Sequence, residues 1–334
     1  MINLKPKPLI LVFPVTYKCN CKCVMCSIWM KQERIKDIPY EAIEKLFTSP
    51  VLASLEEIQI TGGEPVLRED LIKIIKLLLD NCSKLKRLSL ASNGMLVDQL
   101  VLITEEILRL LPHHAELYIS LSLDGIGNTH NLIRGNNKAF ENVIFSARAL
   151  KERFKDRPNF KLGFNTVLSS FNYQQAQEIL GFCQKEGLSV GFTLANTVSV
   201  YIESSKCNSG FVLTQEQIQY VRNFFMKLNQ QWPTAYFEMM VDMLGGARRT
   251  AGCYARTRGM LIDVDGSVYP CGQSADLRCG NIYEEDISRI WNRKMNKKMR
   301  AAFKLECSRC TTNCYPTRAS GLKITKLLGN FFSP

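Results

Sequence analysis

Short apolar runs alternate with helical patterns six times over the first two-thirds of this chain, and that alternation restricts the fold more than any other feature. The runs at Leu9–Thr16, Glu57–Thr61, Lys86–Ser92, Glu116–Leu123, Lys161–Val167 and Ser189–Ala195 read as strands buried on both faces. Helical patterns lie between them at Tyr40–Phe47, Asp70–Asn81, Val97–Leu111, Phe140–Phe154 and Tyr173–Glu186, and Thr214–Gln231 follows the sixth strand. In the second of these, Leu71, Ile74, Ile75 and Leu78 recur three and four apart, the period of a helix with one buried face. Repeated strand–helix units imply a parallel sheet with right-handed crossovers. Six units are too few to close an eight-stranded barrel, so the expected fold is α/β, an open partial (β/α)6 barrel with ligands at the carboxyl ends of its strands.

After about residue 235 the pattern changes. Met260, Ile262 and Val264 alternate, Asp265-Gly266 follows, and Val268 and Tyr269 come next, which predicts a hairpin within 259–272. A helix over Ile287–Phe303 and a cysteine-rich tail from Glu306 complete the chain. The expected organisation is therefore a core over residues 1–235 and a small α+β extension over 236–334.

Of the 334 residues, 46% are hydrophobic, and 43 Lys and Arg against 31 Asp and Glu give a net charge of +12. No apolar run approaches the roughly 20 residues of a membrane span. The run Leu9–Val15 is too short for one, and no small-residue cleavage site follows it. A cytoplasmic protein with no membrane partner is expected. The positive charges are scattered, densest at Arg289–Lys304, without the aromatic-interleaved basic stripe of a nucleic-acid surface. Nucleic acid is therefore not the expected partner.

Thirteen cysteines accompany only three histidines. Ten of those cysteines fall in two groups, Cys19–Cys26 and Cys253–Cys314. In a reducing compartment such a count points to metal or redox chemistry rather than disulfides. The scarcity of histidine argues against a His-ligated metal, whereas sulfur ligation suits iron–sulfur clusters. Cys19, Cys23 and Cys26 form CxxxCxxC in the loop after the first strand, and Cys21 falls outside that spacing. Three thiolates on a four-iron cubane leave one iron open to a small ligand, where a fourth cysteine would make a simple electron carrier. By spacing alone, a zinc site or a closed cluster is the competing reading. Thr61-Gly62-Gly63-Glu64-Pro65 follows the second strand, with glycines that let backbone approach a ligand and a carboxylate that can accept from an ammonium group.

These motifs together resemble the radical S-adenosylmethionine (SAM) superfamily over about residues 9–200. The resemblance implies that Cys19, Cys23 and Cys26 hold a [4Fe–4S] cluster whose open iron is chelated by SAM. It implies that Gly62, Gly63 and Glu64 hold the SAM amino group and that Ser92 and Asn93 face SAM from the third strand. Ser122 and Arg134 match the strand-four segment that contacts SAM, and Asn165 on strand five is a neighbour of ribose and adenine. A structural role is an equal reading for Asn165, Asp124 and Arg134. Met25 stands where the family usually carries an aromatic residue, which still supplies an apolar wall.

Cys253-x12-Gly266-x4-Cys271, then Cys307-x2-Cys310 and Cys314, resembles the SPASM or twitch extension of the same superfamily, which carries auxiliary [4Fe–4S] clusters. The full pattern continues with more cysteines than this chain has. One auxiliary cluster is expected, on Cys253, Cys271, Cys307 and Cys310, with Cys314 as the alternate fourth ligand and Cys279 as core. A four-cysteine zinc ribbon is the competing reading. Cys82 and Cys183 are expected as packed thiols. Cys207, in the loop after the sixth strand, is the candidate catalytic thiol for returning hydrogen to a substrate radical, with an inert loop cysteine as the competing reading.

The resemblance implies reductive SAM cleavage and hydrogen abstraction from carbon, with a flavodoxin- or ferredoxin-type electron donor. An electron accepted by the auxiliary cluster gives oxidation, and hydrogen returned by a thiol gives epimerisation. The expected substrate is a small polar metabolite, an aminosugar, aminocyclitol or nucleoside. A first strand beginning by Leu9 leaves no room ahead of it for a leader-binding domain, which favours that reading. The alternative is the side chain of a ribosomally made peptide or a protein.

Overall fold

The computed structural model describes residues 6–195, 209–249, 253, 257–274, 276–295, 298–299, 301–302, 307–308 and 310–312. Six strands run parallel: β1 (Ile10–Thr16), β2 (Glu57–Gly62), β3 (Arg87–Ser92), β4 (Glu116–Ser122), β5 (Phe160–Leu168) and β6 (Ser189–Leu194), in the spatial order β6-β5-β4-β3-β2-β1. This is the expected α/β fold with its strands in chain order. The apolar residues of each run explain why: Leu11, Phe13 and Val15 of β1, Ile58 and Ile60 of β2, and Leu117, Ile119 and Leu121 of β4 are all buried in one continuous core.

Helices alternate with these strands and follow them. They are α1 (Ile28–Lys31), α2 (Tyr40–Phe47), α3 (Leu71–Asn81), α4 (Val97–Leu110), α5 (Asn128–Arg134), α6 (Ala139–Phe154), α7 (Ala176–Glu186), α8 (Gln215–Gln231) and α9 (Ala235–Leu244). In α3, Leu71, Ile74, Ile75 and Leu78 form the buried face that the sequence period predicts. Thr214 starts α8 with a capping box, its hydroxyl accepting from the Gln217 N–H while the Gln217 side chain accepts from the Thr214 N–H. None of α1, α5 and α9 is among the helices predicted from the sequence.

The extension continues the same sheet. Strand β7 (Gly259–Ile262) runs parallel to β1 in the register Ile10↔Gly259, Leu11↔Met260 and Val12↔Leu261. Then β8 (Ser267–Tyr269) and β9 (Gly280–Asn281) add antiparallel strands, so nine strands form one sheet. The hairpin turn is where Asp265-Gly266 predicts it, with Gly266 at φ +79°. Alternation in the sequence predicts one buried face for β7, but Gly259, Met260, Leu261 and Ile262 are all buried. A strand covered on both sides needs no polar face. The last predicted helix, over Ile287–Phe303, is observed as α10 (Ile287–Lys294), with helical residues again at 298–299 and 301–302. No described helix is long and apolar enough to cross a membrane.

Candidate active site

The carboxyl ends of β1 and β2 bring the cysteine loop and the glycine turn into contact. Gly63 N–H donates to the Thr16 carbonyl and Glu64 N–H to the Lys18 carbonyl, both at 2.8 Å. Gly62 has φ +131°, and a Cβ there would lie 2.2 Å from the Thr16 oxygen. The turn is therefore a cradle that only glycine fits, pressed against the base of the loop that begins at Cys19. Glu64, expected at the SAM amino group, is fully buried and is not among the residues that line the cavity at these strand ends. Its carboxylate accepts from the Asn93 N–H at 2.7 Å and from the Val66 N–H at 3.4 Å. Burial pushes its pKa up to about 7, against the lowering effect of those hydrogen bonds.

One cavity of about 310 Å³ opens over these strand ends. Its wall brings together Cys19, Cys23, Cys26, Gly62, Gly63, Ser92, Asn93, Ser122, Arg134 and Asn165, all of them site candidates from the sequence. Cys21 lines the same cavity, as does Met25. Asn93 is fixed by a 2.6 Å hydrogen bond from its Nδ2 to Oδ1 of Asn20 in the cysteine loop. Burial pushes the Cys19 thiol up to about 11 and the Cys26 thiol up to about 12, and raises Cys23 as well. Arg134 donates to the Cys23 sulfur at 3.7 Å and forms an ion pair with Asp124, which is wholly buried. Burial alone would lower the guanidinium pKa, but Asp124 and Cys23 raise it, so Arg134 is a fixed cation facing the thiols.

These residues fit a thiolate-bound cluster. Thiols this buried resist ionisation unless a metal takes the proton's place. The wall around them is apolar on one side, with Ile28 and Met25, and carries a cation on the other. A four-iron cubane spreads its thiolates over separate corners, and Cys19, Cys23 and Cys26 share one cavity wall.

Thr193, Leu194 and Ala195 line the cavity from the Gly191–Ala195 strand, which the resemblance makes a neighbour of ribose and adenine. Val167 and Phe211 add apolar surface, and Gln273 and Thr312 line it from the extension. No local motif marks Gln273 and Thr312, because only the pairing of β7 with β1 brings the extension to the strand ends.

In the extension, Cys253, Cys271, Cys307 and Cys310 are all described, whereas Cys314 and Cys207 lie outside the described residues. Burial raises the Cys271 thiol, and its charged form also feels Cys253 and Cys310, so these side chains share one neighbourhood. Arg249 holds the last cysteine loop by backbone. Its N–H donates to the Ser308 carbonyl at 2.9 Å, and its guanidinium donates to the carbonyls of Cys310 and Thr312 at 3.1 and 3.2 Å. Cys279 is buried and its thiol donates to the Leu277 carbonyl, consistent with a core position. Cys82 and Cys183 are likewise buried in the main core.

Comparison with known proteins matches two segments of the chain. Residues 13–183 match the radical SAM superfamily, and residues 253–315 match SPASM, described as an iron–sulfur cluster-binding domain. The AdoMet-dependent heme synthase of Methanosarcina barkeri is 23% identical, over 94% of this chain and 94% of its own. The subtilosin biosynthesis protein AlbA of Bacillus subtilis is also 23% identical, over 89% of this chain and 62% of its own. Among solved structures, anSMEcpe with bound AdoMet and a Kp18Cys peptide superposes with a TM-score of 0.65 at 22% identity, covering 90% of this chain and 84% of that one. SuiB of Streptococcus suis, bound to the precursor peptide SuiA, gives 0.63 at 16% identity, covering 92% and 72%. At these identities the structural likeness is one of fold.

Proposed function

The chain belongs to the radical SAM superfamily, and on that premise we propose that it takes a hydrogen atom from the side chain of a peptide or protein. When bound, the cluster supplies the electron that splits SAM into methionine and the 5′-deoxyadenosyl radical that abstracts hydrogen. Cys19, Cys23 and Cys26 would hold that cluster, with Gly62, Gly63, Ser92, Asn93, Ser122, Arg134 and Asn165 around the cosubstrate. Arg134 would balance thiolate charge and, tied to Asp124, keep a fixed position. Val167, Leu194 and Phe211 would exclude water from the reacting carbon. In the extension, Cys253, Cys271, Cys307 and Cys310 would carry one auxiliary cluster, with Cys314 as alternate ligand.

One observation carries the choice of substrate. Among the described residues that line the cavity, Arg134 is the only ionisable side chain apart from the cysteines, and it is already paired. An aminosugar or aminocyclitol needs a carboxylate for its ammonium. The part of the wall not assigned to the cluster and SAM joins Val167, Leu194 and Phe211 to Thr193, Gln273 and Thr312, which suits a neutral side chain. Similarity to AlbA, a bacteriocin biosynthesis protein, and to anSMEcpe and SuiB, both solved with peptides, supports the same direction.

The test is to incubate reduced enzyme and SAM in deuterated water, in turn with pooled synthetic peptides and with pooled aminocyclitols and nucleosides. Peptide-dependent release of 5′-deoxyadenosine is expected, with a peptide that has lost two hydrogens or gained one deuterium. Turnover of the metabolite pool alone would overturn the peptide reading and restore the small-metabolite one. Cys23→Ala should abolish 5′-deoxyadenosine release; unchanged release would remove the ligand assignment.

A further inference from the structure

We infer that Arg134 and Asp124 act as a charge pair that sets the reduction potential of the cluster on Cys19, Cys23 and Cys26, Arg134 raising it and Asp124 tempering the rise. The inference goes beyond the substrate reading above and rests only on the assignment of Cys23 as a ligand. Arg134 ends α5 and donates from Nη1 to the Cys23 sulfur at 3.7 Å, within reach of a hydrogen bond to sulfur. Its Nη2 pairs with the Asp124 carboxylate. The arginine side chain is 12% exposed and that of Asp124 0%, so water and salt screen both charges poorly.

Backbone hydrogen bonds hold the pair against this one cysteine. The end of α5 abuts the cysteine loop: the carbonyls of Ile133 and Arg134 accept from the N–H groups of Val24 and Lys22 at 2.9 and 3.1 Å, and those two residues flank Cys23. Asp124 is fixed at three of its own atoms. Its Oδ1 accepts from the Val167 N–H at 2.8 Å, its N–H donates to His130 Nδ1 at 2.9 Å, and its carbonyl accepts from Asn172 Nδ2 at 2.8 Å. Reduction adds one negative charge to a cluster. A cationic donor on a ligand sulfur favours that charge and a neighbouring carboxylate opposes it, which is how a protein sets such potentials. Arg134 bonds the sulfur, whereas Asp124 bonds Arg134, so the cation has the larger effect.

The experiment compares wild type, Arg134→Met, Arg134→Lys and Asp124→Asn, each reconstituted anaerobically as full-length enzyme. Iron is counted, and the paramagnetic signal that added SAM perturbs is identified. Its midpoint is then measured by redox titration without SAM, so that contact between Arg134 and SAM plays no part. Arg134→Met should show a more negative midpoint, on the order of a tenfold change in the oxidised-to-reduced ratio, or 59 mV for one electron. Arg134→Lys should stay nearer wild type, and Asp124→Asn should shift to a more positive midpoint. A merely structural role would move Arg134→Met and Asp124→Asn in the same direction; that result, or an unmoved midpoint in Arg134→Met, would overturn the inference. Iron lost from Arg134→Met but kept by Arg134→Lys supports the role of charge, and equal loss from both overturns it. A wild type with no SAM-perturbed signal would remove the Cys23 assignment itself, and the inference with it. No arm reads peptide turnover, so the substrate reading stands or falls separately.

Discussion

At Gly63 a single added carbon would lie 2.2 Å from the carbonyl oxygen of Lys18 and 2.8 Å from that of Tyr17. Both are backbone atoms, so the clash is relieved only by moving the segment that delivers Cys19. The demand on this residue is therefore steric and comes from its neighbour in space. Gly63→Ala should lower both iron retention and 5′-deoxyadenosine release by about tenfold or more, since an ångström-scale misplacement can cost two orders of magnitude in rate. Gly181→Ala is the matched control. It lies in α7, and a Cβ there meets nothing within 4 Å. That substitution should leave activity unchanged and add about 0.5–1 kcal/mol of stability by removing backbone freedom from the unfolded chain. Equal effects at the two positions, read by iron analysis and thermal melting, would refute the cradle argument.

Helix α5 turns back onto the end of β4 by placing two side chains one helical turn apart. His130 Nδ1 accepts from the Asp124 N–H at 2.9 Å, and Arg134 pairs with the Asp124 carboxylate. His130 must be neutral to accept there, and burial followed by the charge of Arg134 pulls its pKa down to about 3. The unfolded chain, with an ordinary imidazole pKa of about 6.5, takes up a proton as the pH falls through that value while the folded chain does not. Stability should thus fall between pH 7.5 and 5.5 by about 1.4 kcal/mol from this residue. In His130→Asn that part of the pH dependence should vanish, as measured by denaturant unfolding at the two values; an identical slope would exclude the assignment. The local sequence shows why α5 escapes prediction. It spans seven residues with only His130 and Ile133 buried, so no apolar stripe develops. Helix α9 fails for the opposite reason: Tyr236, Phe237, Met239, Met240 and Val241 crowd it with apolar residues and blur the period. The six core strands, by contrast, are legible because short apolar-rich runs recur between helical periods, although β2, β3, β4 and β6 alternate buried with half-buried residues rather than being buried on both faces. The cysteine and glycine motifs are legible because their spacing is local, whereas Gln273 and Thr312 depend on long-range pairing that no local pattern records.

For the molecule as a whole, the question is whether the core and the extension behave as two units or one. The sheet runs from β6 to β9 without a break, and β1 lies between β2 and β7. The cysteine loop is tied to the hairpin by a hydrogen bond of 2.6 Å from the Tyr17 hydroxyl to Oδ1 of Asp263, both side chains being buried. Tyr17, Ile28 and Val264 pack together around that bond, joining the first cysteine segment to the extension. Losing β7 would strip β1 of a ladder partner and open the wall of the cavity, so partial unfolding of the extension is costly. A single cooperative transition is expected, with loss of far-UV circular dichroism and of iron–sulfur absorbance coinciding on anaerobic heating. Tyr17→Phe should then lower both midpoints together by a few degrees, because it leaves the buried Asp263 carboxylate short of a donor, a loss of about 1–3 kcal/mol. Two separated transitions, or a Tyr17→Phe shift confined to one of them, would show that the extension folds as an independent unit on the edge of β1.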